Sequence, residues 1–196
     1  MEKIINGGAL HFARIGEFNS VLAMISRNLD QIDINSKDRE GRTIASYAAE
    51  YGSVQGLKIA IKLNADIELP DKNLLTPLMY SAKNGNIGCS NLILLKDKNI
   101  DAIDKNGWTA LMHAAANGRT QDVKLLLDKG AKKEIKNDEH LSAAAVAKLY
   151  GWKKLHLFIK EFKKRSTSDF DDEKKLLESL KRGMTYQKLQ DNKKLV

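Results

Sequence analysis

Apolar residues recur along most of this chain at helical spacing, in short runs broken by glycine. The sharpest pattern lies in Asp104–Lys136. Asn106-Gly107 is a turn signal, and Trp108 and Thr109 follow it. Ala110, Leu111, Ala114 and Ala115 then outline a short helix of small residues that must pack close to a neighbour. Gly118 ends that helix at a left-handed position. Val123, Leu126 and Leu127, at i, i+3 and i+4, predict a second helix that stops at Gly130. One pair of this size cannot bury its apolar faces alone, so copies are expected on either side.

The copies emerge by subtraction. Asp104 has counterparts at Asp71 and Asp38, with Asn137 holding the next place. Thr109 aligns with Thr76, Thr43 and Ser142, and Gly118 with Gly85, Gly52 and Gly151, all at intervals of 33 residues. Three positions kept in one register over four units define a repeat of a turn and two helices. Residues 38–162 resemble the ankyrin repeat family, most clearly in Thr76-Pro77-Leu78-Met79-Tyr80-Ser81-Ala82 and Thr109-Ala110-Leu111-Met112-His113-Ala114-Ala115. These match the family's Thr-Pro-Leu-His-x-Ala-Ala opening, with methionine in the histidine place. The resemblance implies an all-α solenoid of about five turn–helix–helix units. The units are expected near residues 4–37, 38–70, 71–103, 104–136 and 137–165, an array over 1–165 followed by a C-terminal extension over 166–196.

The units differ in instructive ways. The first lacks the full turn, as a terminal cap does, and Ala13 lies 36 residues before Ala49, which places about three extra residues within Arg27–Ile32. The second has Ile44 and Ser46 where the family favours proline and histidine, so a weakened helix start is expected. In the third, Leu74 replaces the turn glycine. Asn73 tolerates the left-handed region better, so a turn shifted by one position is expected. The fifth also lacks a turn glycine. Its second helix, from Trp152, carries Leu155, Phe158, Ile159 and Phe162 on one side and Lys153, Lys154, Lys160, Lys163 and Lys164 on the other, the make-up of a closing unit. Beyond a break at Ser166-Thr167-Ser168, acidic Asp169–Glu173 and Leu176, Leu177 and Leu180 predict a helix near 170–182.

Composition changes this picture little. A formal charge of +8 permits anionic partners without demanding nucleic acid. Cys89 stands alone, which excludes a disulfide framework. No run approaches about 18 apolar residues, so a soluble intracellular protein is expected, cytoplasmic or, through Lys163-Lys164-Arg165, nuclear. His11, His113, His140 and His156 are scattered without ligand spacing, and Gly7-Gly8 lacks the pattern of a phosphate loop. Neither catalytic residues nor a metal or cofactor are expected. Cys89 reads as a small buried hydrophobe and His113 as a packing or contact residue facing the groove.

In the resembled family, partners touch the turn tips and the first helices. The resemblance therefore points to Arg39, Arg42, Tyr47, Glu50 and Tyr51 in the second unit, and to Lys72, Leu75, Tyr80 and Lys83 in the third. In the fourth it points to Lys105, Trp108, His113 and Asn117. Aromatics among charges are the usual makings of a binding hot spot, although Tyr47 and Tyr80 also fit an apolar packing position. Trp108, on an exposed arm, is the leading candidate. The function expected is a non-catalytic interaction module, monomeric by itself, that binds a protein partner through its concave face and turn tips. The alternative uses the basic C-terminal end, Lys132, Lys133, Lys136, Lys148, Lys153 and Lys154 with the lysines beyond, to bind nucleic acid or another acidic partner.

Overall fold

The computed structural model describes residues 2–27 (side chains from Asn6), 32–96 and 99–163. Ten helices are found among them: α1 (Glu2–Arg14), α2 (Phe18–Arg27), α3 (Ile44–Tyr51), α4 (Val54–Lys62), α5 (Pro77–Asn84), α6 (Ile87–Leu94), α7 (Ala110–Ala116), α8 (Thr120–Asp128), α9 (Ala143–Leu149) and α10 (Lys153–Glu161). An isolated bridge between Lys136 and Ser142 is the one strand-like pairing there. The odd-numbered helices stack in one layer, α1 on α3, α3 on α5, α5 on α7 and α7 on α9, and α2, α4, α6 and α8 follow in a second. The fold is an all-α solenoid. The expected insertion near Arg27–Ile32 and the helix expected near 170–182 fall on residues outside this description.

The recurring threonine is the start signal of every first helix from α3 onward. The side chains of Thr43, Thr76, Thr109 and Ser142 each accept a hydrogen bond from the backbone N–H three residues on, at Ser46, Met79, Met112 and Ala145. That satisfies a donor the helix itself leaves unpaired. Ser46 corrects the expected weakness of the second unit. Its hydroxyl lies 3.4 Å from the Thr43 N–H it accepts, and its own N–H lies 3.2 Å from Thr43 Oγ1. The serine supplies a reciprocal cap where histidine was missed.

Small residues set the helix spacing. Ala48, Ala49, Ala82, Ala114, Ala115 and Ala147 are fully buried, so adjacent first helices approach closely. Leu57, Ile93, Leu126 and Ile159 carry the bulk of the second layer and are equally inaccessible. The closing unit is less sealed than expected: Leu155 and Ile159 are buried, but Phe158 is 36% and Leu157 50% exposed. Phe158 continues the row of Ile59, Leu92 and Leu125, which are half-buried in earlier units.

Between the helix pairs run arms built on one acidic side chain each. Asp38 Oδ1 accepts from the N–H of Glu40 and Arg42, Asp71 Oδ1 from Asn73 and Leu75, and Asp104 Oδ1 from Asn106 and Trp108, at 2.8–2.9 Å. Asn137 Oδ1 repeats the pattern with Glu139 and Leu141. Each arm also needs one residue in the left-handed region. Gly41 and Gly107 fill it in two arms, while Leu74 (φ 61°) and His140 (φ 59°) fill it in the others. The expected shift of the turn onto Asn73 does not occur. Leu74 takes the strained conformation itself because the Asp71 bonds on either side of it fix the arm's register.

Candidate functional site

The arms and the exposed edges of the first helices form one continuous surface, on which burial sorts the expected contact residues. Arg39, Lys72, Lys83 and Lys105 are exposed, as is Tyr51 at 53%, its hydroxyl donating to the carbonyl of Arg14 at 2.8 Å. Leu75, Trp108 and Asn117 are half-buried. Asn117 uses its side-chain amide to cap the carbonyl of His113 at 2.8 Å.

Tyr47 and Tyr80 are corrected: they are 3% and 8% exposed and offer a partner almost no area. Each stands nine residues after an arm aspartate, and its hydroxyl donates to that carboxylate's second oxygen, Tyr47 to Asp38 at 2.6 Å and Tyr80 to Asp71 at 2.8 Å. The aspartate holds the arm, and the tyrosine ties the aspartate to the first helix. Burial, with donation to a carboxylate, pushes both hydroxyls well above the usual tyrosine range, so they stay protonated donors. Burial alone would raise the Asp38 carboxyl. The Tyr47 hydroxyl and the N–H groups of Arg42 and Glu40 outweigh it and hold the group below its ordinary value.

Arg42 and Glu50 are also occupied. The guanidinium of Arg42 lies between the two tyrosine rings, its Cζ 3.9 Å from the centroid of Tyr47 and 4.2 Å from that of Tyr80. Its Nη2 pairs with Glu50. Burial opposes this charge, but the bond to Glu50 and that carboxylate's charge prevail and raise the affinity of Arg42 for its proton. These four residues clamp the second unit to the third.

In the fourth unit the nine-residue partner is His113, whose Nε2 lies 2.9 Å from Asp104 Oδ2. Burial depresses its proton affinity, and Asp104 opposes without prevailing. The ring is therefore neutral at pH 7, with its Nε2–H directed to the carboxylate. The sign of the linkage follows. The unfolded histidine, titrating near pH 6.5, takes up a proton more readily than the folded one. The stability this group contributes is present above that pH and is lost as the pH falls through the lowered folded value. His113→Tyr, which copies the third unit, should keep the bond and remove the dependence. Urea midpoints from pH 7.5 to 5.5 should fall less steeply in the variant, and parallel curves would show that His113 contributes nothing. The fifth unit abandons the device: Val146 stands at the ninth position, and Asn137 Nδ2 is buried without a partner among the described residues.

Trp108 also departs from expectation. It is half-buried and packs on the core, its ring 5.3 Å from that of His113 and 6.5 Å from that of Tyr150 in a near-perpendicular contact. The ring finds this support in the next unit, where Tyr150 is 55% and Leu149 66% exposed. Both were missed in the sequence, although they stand 33 residues after Asn117 and Ala116. At the other end α1 falls within the expected first unit, but its residues were not expected as part of the contact surface. Asn6, Leu10, His11 and Arg14 line a cleft of about 940 Å³ whose other wall is the arm Ser36–Glu40 with Tyr47. The signal was present, because the 36-residue offset of Ala13 and Ala49 places His11 on Tyr47 and Arg14 on Glu50.

Chemistry elsewhere is quiet. Cys89 is fully buried, and burial pushes its thiol up to about 11, away from the reactive thiolate. Asp122, also buried, has its carboxyl raised by burial despite the Ser90 hydroxyl that donates to it at 2.6 Å. Among the described residues no group of three or more His, Cys, Asp or Glu could hold a metal ion, and no helix is long and apolar enough to cross a membrane. In the basic end, Lys132, Lys136, Lys148, Lys153, Lys154 and Lys160 are exposed. Lys133 instead donates to the carbonyls of Lys160 and Phe162 at 2.9 and 2.8 Å, closing the last turn of α10.

Helix pairs repeated every 33 residues define a repeat solenoid. Sequence comparison gives the family. The model of ankyrin repeats in three copies matches residues 55–137, and that of ankyrin repeats in many copies matches 27–81. Together they run over 27–137, more than half the chain, which belongs to the ankyrin repeat family. Repeats of this family are generally protein–protein interaction modules. No curated protein matches the chain.

Proposed function

We propose that this chain is a non-catalytic adaptor that binds a protein partner through its concave face and arm tips. One observation carries the reading. The backbone N–H of Lys72 donates to the carbonyl of Glu40 at 2.9 Å, that of Lys105 to Asn73 at 3.0 Å, and that of Asp138 to Asn106 at 3.2 Å. The same bond, repeated every 33 residues, joins successive arms into a ladder. Arms held this way lose little conformational freedom on binding, so contact energy goes into affinity. Arg39, Lys72 and Lys105 ride on the ladder and project from it.

Within this surface Trp108, Tyr150 and Leu149 form the apolar anchor, and the exposed arm charges form its rim. The test takes a partner isolated on the intact chain and titrates it calorimetrically against Trp108→Ala and Lys124→Glu, the latter exposed on α8 in the second layer. Trp108→Ala should weaken binding by about 2 kcal/mol, with a melting curve recorded to separate lost contact from lost packing. Lys124→Glu should change nothing. Affinity that follows Lys124 and ignores Trp108 would place the partner on the other layer and end the proposal.

A further inference from the structure

The cleft at the first unit has a chemistry of its own. We infer that it receives an acidic peptide segment of a partner, seated between α1 and the arm of the second unit. The inference rests on the groove reading above and adds the partner's charge and the end of the groove that reads it.

Its walls carry three cationic side chains, Arg14 from α1 and Lys37 and Arg39 from the arm, with His11 beside them. Two carboxylates line it, Asp38 and Glu40. The Asp38 carboxylate keeps its charge, but its oxygens are occupied. One oxygen accepts from two backbone N–H groups and the other from the Tyr47 hydroxyl, bonds that hold it ionised inside the arm. Three cations thus face two carboxylates, an excess of one positive charge in the cleft. Among the described residues, the hydrogen-bond partner of the Arg14 side chain is the His11 ring, Nη2 to Nδ1 at 3.4 Å, a neighbour that is not a carboxylate. Lys37 donates to the carbonyl of Pro70 at 3.0 Å, which orients the ammonium and leaves its charge uncompensated. The Ser36 hydroxyl at the wall has no partner among the described residues.

The same stretch of later units is built differently. At the place of Arg14 in the repeat stand Glu50 and Lys83, and Glu50 is consumed by Arg42. Lys83 and Lys105 place positive charge on a later first helix and arm as well; this end adds Lys37 and the cleft itself. A cleft of about 940 Å³ admits several residues of extended peptide, and its focused positive field favours Asp and Glu side chains over others.

The test uses the full chain and a fluorescein-labelled octaglutamate peptide, followed by anisotropy and by amide chemical shifts. Perturbed amides should cluster in residues 6–14 and 36–47. Arg14→Glu combined with Arg39→Glu should weaken binding at least tenfold, with an unchanged melting curve, since both side chains are exposed. Lys148→Glu combined with Lys153→Glu alters the net charge equally at the far end and should weaken it less than threefold. Equal loss in the two variants, or shifts centred on Lys148 and Lys153, would overturn the proposal, as would tighter binding of a ten-nucleotide oligothymidine to the same cleft. Peptides selected from a random library on the full chain separate this from the groove reading. If they perturb the first helices of later units and spare the cleft, the acidic-peptide proposal alone fails. If they perturb only α4, α6 and α8, both fail.

Discussion

Asp71→Ala should lower the unfolding free energy by about 3–5 kcal/mol, a large loss for a change at one polar side chain. The carboxylate is 6% exposed. It accepts from Asn73 N–H at 2.8 Å, Leu75 N–H at 2.9 Å and the Tyr80 hydroxyl at 2.8 Å. Alanine leaves all three donors unanswered, each costing about 1–3 kcal/mol where water cannot replace the carboxylate. Water does reach Asn73, so the sum falls short of three full penalties. Two further variants divide the effect. Tyr80→Phe removes only the upper bond and should cost about 1–2 kcal/mol, whereas Asp71→Asn keeps an acceptor for the arm, as Asn137 does in the fifth unit, and should cost a similar amount. Urea unfolding followed by tryptophan fluorescence measures all three. If Asp71→Ala costs no more than Tyr80→Phe, the arm does not depend on its carboxylate.

Gly118→Val should cost about 3 kcal/mol or more and should act on the last unit first. The residue sits at φ 66°, where a β-branched side chain loses about 1–2 kcal/mol on the backbone alone. A Cβ there would also stand 2.6 Å from Cε2 of Trp152 and 2.7 Å from Cζ2, closer than carbon atoms can approach. The indole must leave, and with it goes the bond from its Nε1–H to the carbonyl of Ala116 at 2.9 Å. Because each repeat is held only by its neighbours, hydrogen exchange should rise in α9 and α10 before it rises in α3 to α6. The double variant Gly118→Val, Trp152→Ala removes the collision and leaves the strain, so its cost should be clearly less than the sum of the two single changes. Additive costs would mean that the glycine is needed for its backbone alone.

The two predictions differ in how far a reader of the sequence could have reached them. Gly118 was visible as a helix terminator, because left-handed helix ends are a local requirement with a local signature. Its second duty, leaving room for Trp152, involves a residue in the next unit. The Asp71 to Tyr80 link was also present as a nine-residue spacing that recurs at Asp38 and Tyr47. It went unread because a tyrosine set among charges looks like a contact residue whichever way its ring points. Trp108 misled in the same manner, since its support comes from Tyr150, 42 positions later.

What the amino-acid order determined by itself is the repeat: the threonine caps, the helix-ending glycines and the alanine faces are short-range demands, met within a few residues. Even its departures, at Ser46 and Leu74, were visible as departures, though not in outcome. Only the packed array decided which polar side chains are struts and which are free. Arg42 became an insert between rings from two units, while Arg14 and Arg39 remained bare charges across a cleft. The physical reason is that a side chain's availability depends on burial and on partners from neighbouring units, and neither exists until the units are stacked.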